Sequence, residues 1–137
     1  MNTPNTHTPT LQQLHALKIA ARCSVGFVWF WEGLMPKVLY PSQLQLDMVR
    51  SSGWWWVSPE VTLYWLGIAM MIAGICLCIG FKERLTQLVA TLSVLILMVL
   101  VIGNCPQALH DPFGGLAKDA CLFTCSAVVW ALPNRIV

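Results

Sequence analysis

The stretch LTQLVATLSVLILMVLVIG, residues 85–103, contains no charged side chain and is apolar over most of its length. A helix of this length covers the ~30 Å of hydrocarbon in a lipid bilayer. Three other apolar stretches of comparable length occur in the 137-residue chain, at residues 17–40, 61–81 and 114–132. This pattern predicts an all-α membrane protein that forms a four-helix transmembrane bundle.

The overall composition indicates the same class of protein. Hydrophobic residues make up 57% of the chain and charged residues only 10%, whereas soluble domains contain about 25% charged residues. Outside the apolar stretches, the sequence has a polar N-terminal arm, residues 1–16, and short connections. We therefore expect one transmembrane domain, residues 17–137, in contact with the lipid bilayer and with no nucleic acid.

The basic residues predict how the bundle is oriented. One membrane face is expected to carry Lys18, Arg22, Lys82, Arg84 and Arg135, and the other Lys37, Arg50 and Lys118. Cytoplasmic connections of membrane proteins are enriched in Lys and Arg. Both termini are therefore predicted to be cytoplasmic.

The connection between the first two spans, residues 41–60, has a character of its own. It mixes apolar and charged side chains after Ser42 and then presents Trp54, Trp55 and Trp56 in succession. We expect a short helix after Ser42 that lies at the outer membrane surface, because indole rings favour the headgroup region. The tryptophans either anchor the start of the second span or form an aromatic lid over a ligand site.

The first span places charged groups at membrane depth. At helical spacing, Arg22, Trp29, Glu32 and Pro36 share one stripe. Glu32 lies ~7 Å inward from Lys37, so its carboxylate must be paired, protonated or beside a polar cavity. Pro36 has no N–H for the carbonyl of Glu32, so that carbonyl needs another donor.

The partner of Glu32 is predicted in the fourth span. Lys118 and Asp119 occupy its first turns, and Lys118 reaches the depth of Glu32 if the two helices are antiparallel. We predict one pair of Glu32 with Lys118 and another of Asp119 with Lys37 or Arg50. Such pairs either only fix the helices together or form a site that handles protons or binds an anion.

These residues are the candidates for function, although the sequence assigns no catalytic role. The candidate charge cluster contains Glu32, Lys37, Lys118 and Asp119, and the candidates for cofactor binding are Arg22, Trp29 and Glu32. No cofactor is identified by the residues alone. No metal site is predicted, because the six cysteines and three histidines lack zinc or haem spacing. A disulfide between Cys105 and Cys121 is conceivable, with Cys125 nearby, but packing is the usual role of such cysteines.

Several short motifs follow one another along the chain. In order they are Arg22-x-x-x-Gly26-x-x-Trp29, Trp31-x-Gly33, Ser52-Gly53, Leu66-Gly67 and Asp111-Pro-Phe-Gly-Gly-x-x-Lys118. This series resembles the DoxX-like family of four-helix bacterial membrane proteins, and the last motif is the most specific. Similar sequences often carry Asn after the lysine, whereas this chain has Asp119.

The resemblance implies a multi-pass protein of the bacterial inner (plasma) membrane. It further implies an accessory subunit of a quinone-linked redox system with a soluble oxidoreductase partner, since the related DoxD is a subunit of a thiosulfate:quinone oxidoreductase. The alternative is a non-enzymatic membrane anchor or structural protein. A small transporter would need a homo-oligomer, for which the second span offers the small residues Gly67, Ala69, Ala73 and Gly74.

Overall fold

The computed structural model describes residues 10–104 and 116–132. These residues form five α-helices and one π-helix: α1 (Leu11–Gly33), the π-helix (Leu34–Leu39), α2 (Gln43–Ser52), α3 (Pro59–Ile79), α4 (Glu83–Asn104) and α5 (Leu116–Ala131). The described part of the chain contains no strand, so the all-α prediction is confirmed. Helix α1 packs against α3 and α5, α4 also packs against both of these helices, and α2 packs on α3 and α4.

Two helices are long and apolar enough to cross a bilayer. They are Pro59–Ile79, with a mean hydropathy of 2.1, and Glu83–Gly103, with a mean hydropathy of 2.6. Most of each helix is exposed on the surface of the bundle, because only 28% and 11% of the two segments are buried within the protein. This apolar surface needs a lipid or protein environment.

Helix α1 begins before the apolar stretch and ends within it. Thr10 caps its N-terminus, where its hydroxyl accepts from the Gln13 backbone and the Gln13 side chain accepts from the Thr10 backbone. The α-helix ends at Gly33, and residues 34–39 continue as a π-helix around Pro36. The span predicted as one helix over residues 17–40 therefore changes its helical pitch, because Pro36 removes a backbone donor.

The short helix expected after Ser42 is present. Ser42 precedes α2, and Gly53 ends it with a φ of 67°, a left-handed conformation that glycine adopts without strain. Leu46 of α2 is buried against the bundle, while Trp54 and Trp56 are 88% and 84% exposed. The connection therefore covers the bundle with α2 and presents its tryptophans outward.

Glycines bring α1 and α3 into close contact at two levels. Gly26 faces Gly74 and Gly33 faces Gly67, and a β-carbon on Gly33 would come within 2.5 Å of the Gly67 carbonyl oxygen. Backbones approach this closely only where side chains are absent. Gly67 and Gly74 are therefore covered by α1 of the same chain, and they do not form the free surface expected for contact with a second copy.

Four parts of the sequence analysis fall outside the described residues. These are Cys105 with its conceivable disulfide to Cys121, the motif at residues 111–115, Arg135, and most of the N-terminal arm.

Candidate ligand-binding site

The predicted pair of Glu32 with Lys118 is formed. The Lys118 Nζ lies 2.9 Å from a Glu32 carboxylate oxygen, and the two side chains are 29% and 26% exposed respectively. The pair joins the end of α1 to the first turn of α5. Both side chains are therefore partly exposed, as expected for charged groups beside a cavity.

The backbone carbonyl of Glu32 obtains its donor from Lys37. Pro36 cannot donate to this carbonyl, as predicted. The Lys37 Nζ lies 3.1 Å from it, and only 6% of Lys37 is exposed. The π-helix thus turns the chain so that the next side chain after the proline replaces the missing N–H.

Asp119 lies near these groups, but its predicted ion pair is not formed. Arg50 instead contacts Glu60 at 2.7 Å and Asp47 at 3.5 Å. The ion pairs of residues 10–104 and 116–132 do not include Asp119 or Lys37. The prediction was wrong because Arg50 pairs with Glu60 at the start of α3, and the Lys37 ammonium donates to the Glu32 carbonyl.

A cavity of about 420 Å³ brings the candidate charge cluster together. Glu32, Lys37, Lys118 and Asp119 all line it, and we call these four residues the Glu32 cluster. Its walls are otherwise largely apolar and come from all five helices, including Trp29, Leu63, Met70, Leu97, Met98 and Leu122. Gln45 of α2 also lines the cavity, and its side-chain oxygen is buried without a hydrogen-bond partner. The exposed residues 54–56 are not among the lining residues, so they do not form the aromatic lid over this cavity.

Arg22 belongs to a second charge cluster, which we call the Glu83 cluster. Glu83 lies 2.7 Å from the Lys18 Nζ and 3.1 Å from an Arg22 guanidinium nitrogen. Lys18 is separated from Glu32 by fourteen residues of α1, or ~21 Å along a helix, so the two clusters lie at opposite ends of the bundle. The structure therefore brings Trp29 and Glu32 together and leaves Arg22 apart from them.

Sequence analysis overlooked Glu83 as a buried partner. It lies in a short polar turn, Lys82-Glu83-Arg84, which resembles a solvated connection. The available signal was the spacing of Lys18 and Arg22, four residues apart on one face of α1. Two cations on one helix face attract a nearby carboxylate, and Glu83 at the start of α4 contacts both of them.

The model of one protein family matches residues 26–127 of the chain. The chain belongs to the DoxX-like family. No significant match is found among curated proteins or among solved structures. The matched range includes Glu32, Lys37, Lys118 and Asp119, so the whole Glu32 cluster lies within the part of the chain that the family model covers.

Membership of the DoxX-like family and the two long apolar helices make this chain a membrane protein in contact with lipid. Within the described residues, no group of three His, Cys, Asp or Glu side chains has the arrangement needed to hold a metal ion. The Glu32 cluster places two ammonium groups and two carboxyl groups beside the large cavity.

Proposed function

We propose that this protein is an inner-membrane subunit of a redox system and that it binds a quinone in the cavity at the Glu32 end. The cavity itself is the observation that supports the proposal. Its volume of about 420 Å³ lies within the range of small-molecule sites, and apolar walls lead to a polar end. A quinone has the same division, since its ring and tail are apolar and its two ring oxygens accept hydrogen bonds.

The polar groups fit an uncharged ligand of this kind. Two lysines and two carboxylates in the Glu32 cluster balance in formal charge. An ammonium group has three donors, and Lys37 uses one of them on the Glu32 carbonyl. Lys37 and Lys118 would therefore donate to ring oxygens. The unpartnered oxygen of Gln45 would accept from a ligand hydroxyl, which a quinol has.

A bound quinone supplies two-electron, two-proton redox chemistry. The residues of this chain would bind and orient it, and the apolar walls around Trp29 and Met98 would exclude water from the ring. Glu32 and Asp119 are the carboxylates that would hold protons beside the ring oxygens. Electrons would come from a soluble oxidoreductase, so the chain acts as an accessory subunit.

The orientation that we propose has four membrane spans with both termini in the cytoplasm. It is supported by Lys18, Arg22, Lys82 and Arg84, which lie at the Glu83 end of the bundle. A cysteine placed at exposed Lys82 in a cysteine-free background should react with an impermeant maleimide in inverted membrane vesicles and not in intact cells. Reaction in intact cells would reverse the orientation.

Ligand retention is the direct test of the proposed function. The wild-type protein and the variants Glu32→Gln and Lys118→Ala should be extracted in mild detergent and measured by native mass spectrometry. We expect the wild type to retain a quinone. The amount of quinone retained by each of the two variants should be at least tenfold lower. The control is Lys82→Ala, which removes an exposed cation outside the cavity and should retain the wild-type amount.

A second variant separates the cavity from its charges. Met98→Trp fills the apolar part of the site and leaves the Glu32 cluster unchanged, so it should also lose the quinone. Retention of quinone by Met98→Trp would place the ligand elsewhere on the protein. Phospholipid alone on the wild type, with no partner chain, would support the membrane anchor instead.

A further inference from the structure

Gln87 is a buried polar side chain that the proposed quinone site does not use. It lies on α4, one turn after Glu83, and is 1% exposed. Its amide nitrogen donates to the Ser126 hydroxyl on α5 at 2.7 Å, but its amide oxygen has no hydrogen-bond partner. A buried acceptor without a donor is destabilising, so this oxygen indicates a place for a donor group.

A second, small cavity lies beside Gln87. Its volume is about 30 Å³, enough for one hydroxyl group or one water molecule. It is lined by Glu83, Arg84, Gln87, Val129, Trp130 and Leu132. Arg84 and Trp130 are exposed, so the cavity reaches the surface at the Glu83 end, between α4 and α5.

The mouth of this cavity attracts anions. Glu83 is already neutralised by Lys18 and Arg22. The four basic side chains at this end, Lys18, Arg22, Lys82 and Arg84, leave a formal excess of three positive charges over Glu83. Arg84 forms none of the ion pairs found within residues 10–104 and 116–132. An exposed arginine at a membrane end is a suitable partner for a phosphate group.

We propose that the groove between α4 and α5 at the Glu83 end binds an anionic phospholipid whose headgroup carries a free hydroxyl, such as phosphatidylglycerol. The hydroxyl enters the small cavity and donates to the Gln87 oxygen, while the phosphate contacts Arg84 at its mouth. The acyl chains lie along α4, where Leu85, Leu88 and Val89 are exposed. Trp130, which is 45% exposed, borders the headgroup.

This site does not depend on the quinone cavity. The quinone site is lined by the Glu32 cluster at the other end of the bundle, and the two sets of lining residues have no member in common. Loss of lipid selectivity and loss of quinone are therefore separate measurements.

Competition between matched lipids tests the proposal. Delipidated protein is given equal amounts of phosphatidylglycerol and phosphatidylethanol with the same acyl chains, and the adducts are counted by native mass spectrometry. The two headgroups carry one negative charge each, but only the first has free hydroxyls. We expect about fivefold more phosphatidylglycerol adduct, the effect of one neutral hydrogen bond. Equal amounts would overturn the proposal, since water alone would then satisfy Gln87.

Two pairs of variants assign the selectivity to residues. Arg84→Ala should form severalfold less adduct with both anionic lipids. Lys82→Ala removes the same charge outside the cavity and should leave the amount of adduct unchanged. Gln87→Met should keep the binding of phosphatidylethanol and lose the preference for phosphatidylglycerol. Equal losses in the two cation variants would show diffuse attraction and contradict the site.

A soluble ligand is distinguished in the same experiment. Glycerol 1-phosphate has the phosphate and the hydroxyls of the headgroup but no acyl chain. We expect no displacement of phosphatidylglycerol when it is added at the lipid concentration. Displacement at that concentration would show that the acyl chains contribute nothing, and the lipid proposal would fail. The wild-type measurements decide this even if Gln87→Met does not fold.

Discussion

The Glu32 cluster and the Glu83 cluster both pair cationic side chains with carboxylates, but they do so in different surroundings. Glu83 contacts two cations, Lys18 and Arg22, and its side chain is 17% exposed, while the Lys18 side chain is only 6% exposed. Glu32 contacts one cation through its carboxylate, and both members of that pair are more than a quarter exposed. The space beside each cluster also differs, at about 30 Å³ near Glu83 and about 420 Å³ near Glu32.

This difference separates a structural role from a binding role. Charges that are enclosed and in contact with each other are costly to separate, so they fix the helices that carry them. Charges beside a large cavity keep donors and acceptors that a ligand can reach. Lys37 illustrates the second case, because this residue lines the cavity and its ammonium donates only to a backbone carbonyl in the described residues. Both clusters contain buried cations, and the neighbouring cavity distinguishes them.

The largest effect on stability is expected from Glu83→Gln. The substitution removes the carboxylate that Lys18 and Arg22 share, and disruption of a buried charge pair costs about 3 kcal/mol. The free energy of unfolding should be measured by denaturant titration of the protein in detergent. Quinone retention per folded molecule should remain at the wild-type value, since Glu83 does not line the large cavity. A loss below ~1 kcal/mol would remove the structural role from this cluster.

A smaller effect on stability is expected from Glu32→Gln, despite its loss of ligand. The pair with Lys118 is partly open, so its contribution should be about 1 kcal/mol or less. A double-mutant cycle with Lys118→Met measures the coupling between the two side chains directly. If the coupling reached the value for Glu83 with its cations, the two clusters would have the same structural role, and the comparison would break down.

Most of the Glu32 cluster could be predicted from the sequence. Glu32 and Lys118 could be paired in advance because antiparallel helices bring residues at equal depth together. The effect of Pro36 on the Glu32 carbonyl follows from the missing N–H alone. That Lys37 supplies the donor could not be predicted, because it depends on the π-helix, which helical spacing at 3.6 residues per turn does not anticipate.

Other parts of the molecule depend on tertiary packing that no local sequence pattern predicts. The cavity exists because α2 lies against α3 and α4 and places Gln45 and Met48 in its wall. The direction of α2 also decides that Arg50 pairs with Glu60 and leaves Asp119 without that partner. Glu83 was overlooked for a similar reason, since its pairing with Lys18 and Arg22 depends on how α1 lies beside the polar turn before α4.

The smallest effect is expected from Arg50→Ala. Arg50 and Glu60 are in contact at 2.7 Å, but their side chains are 52% and 54% exposed, and water screens such a pair. We expect no measurable loss in the free energy of unfolding and unchanged quinone retention. Helix α2 should stay in place because Leu46, which is 5% exposed, holds it against the bundle.

The contrasting variant is Leu46→Ala, which removes that contact and should release quinone as α2 leaves the cavity wall. If Arg50→Ala released quinone as readily as Leu46→Ala, an exposed ion pair would control the cavity. The exposed fraction of a charged side chain would then no longer indicate whether it contributes to binding.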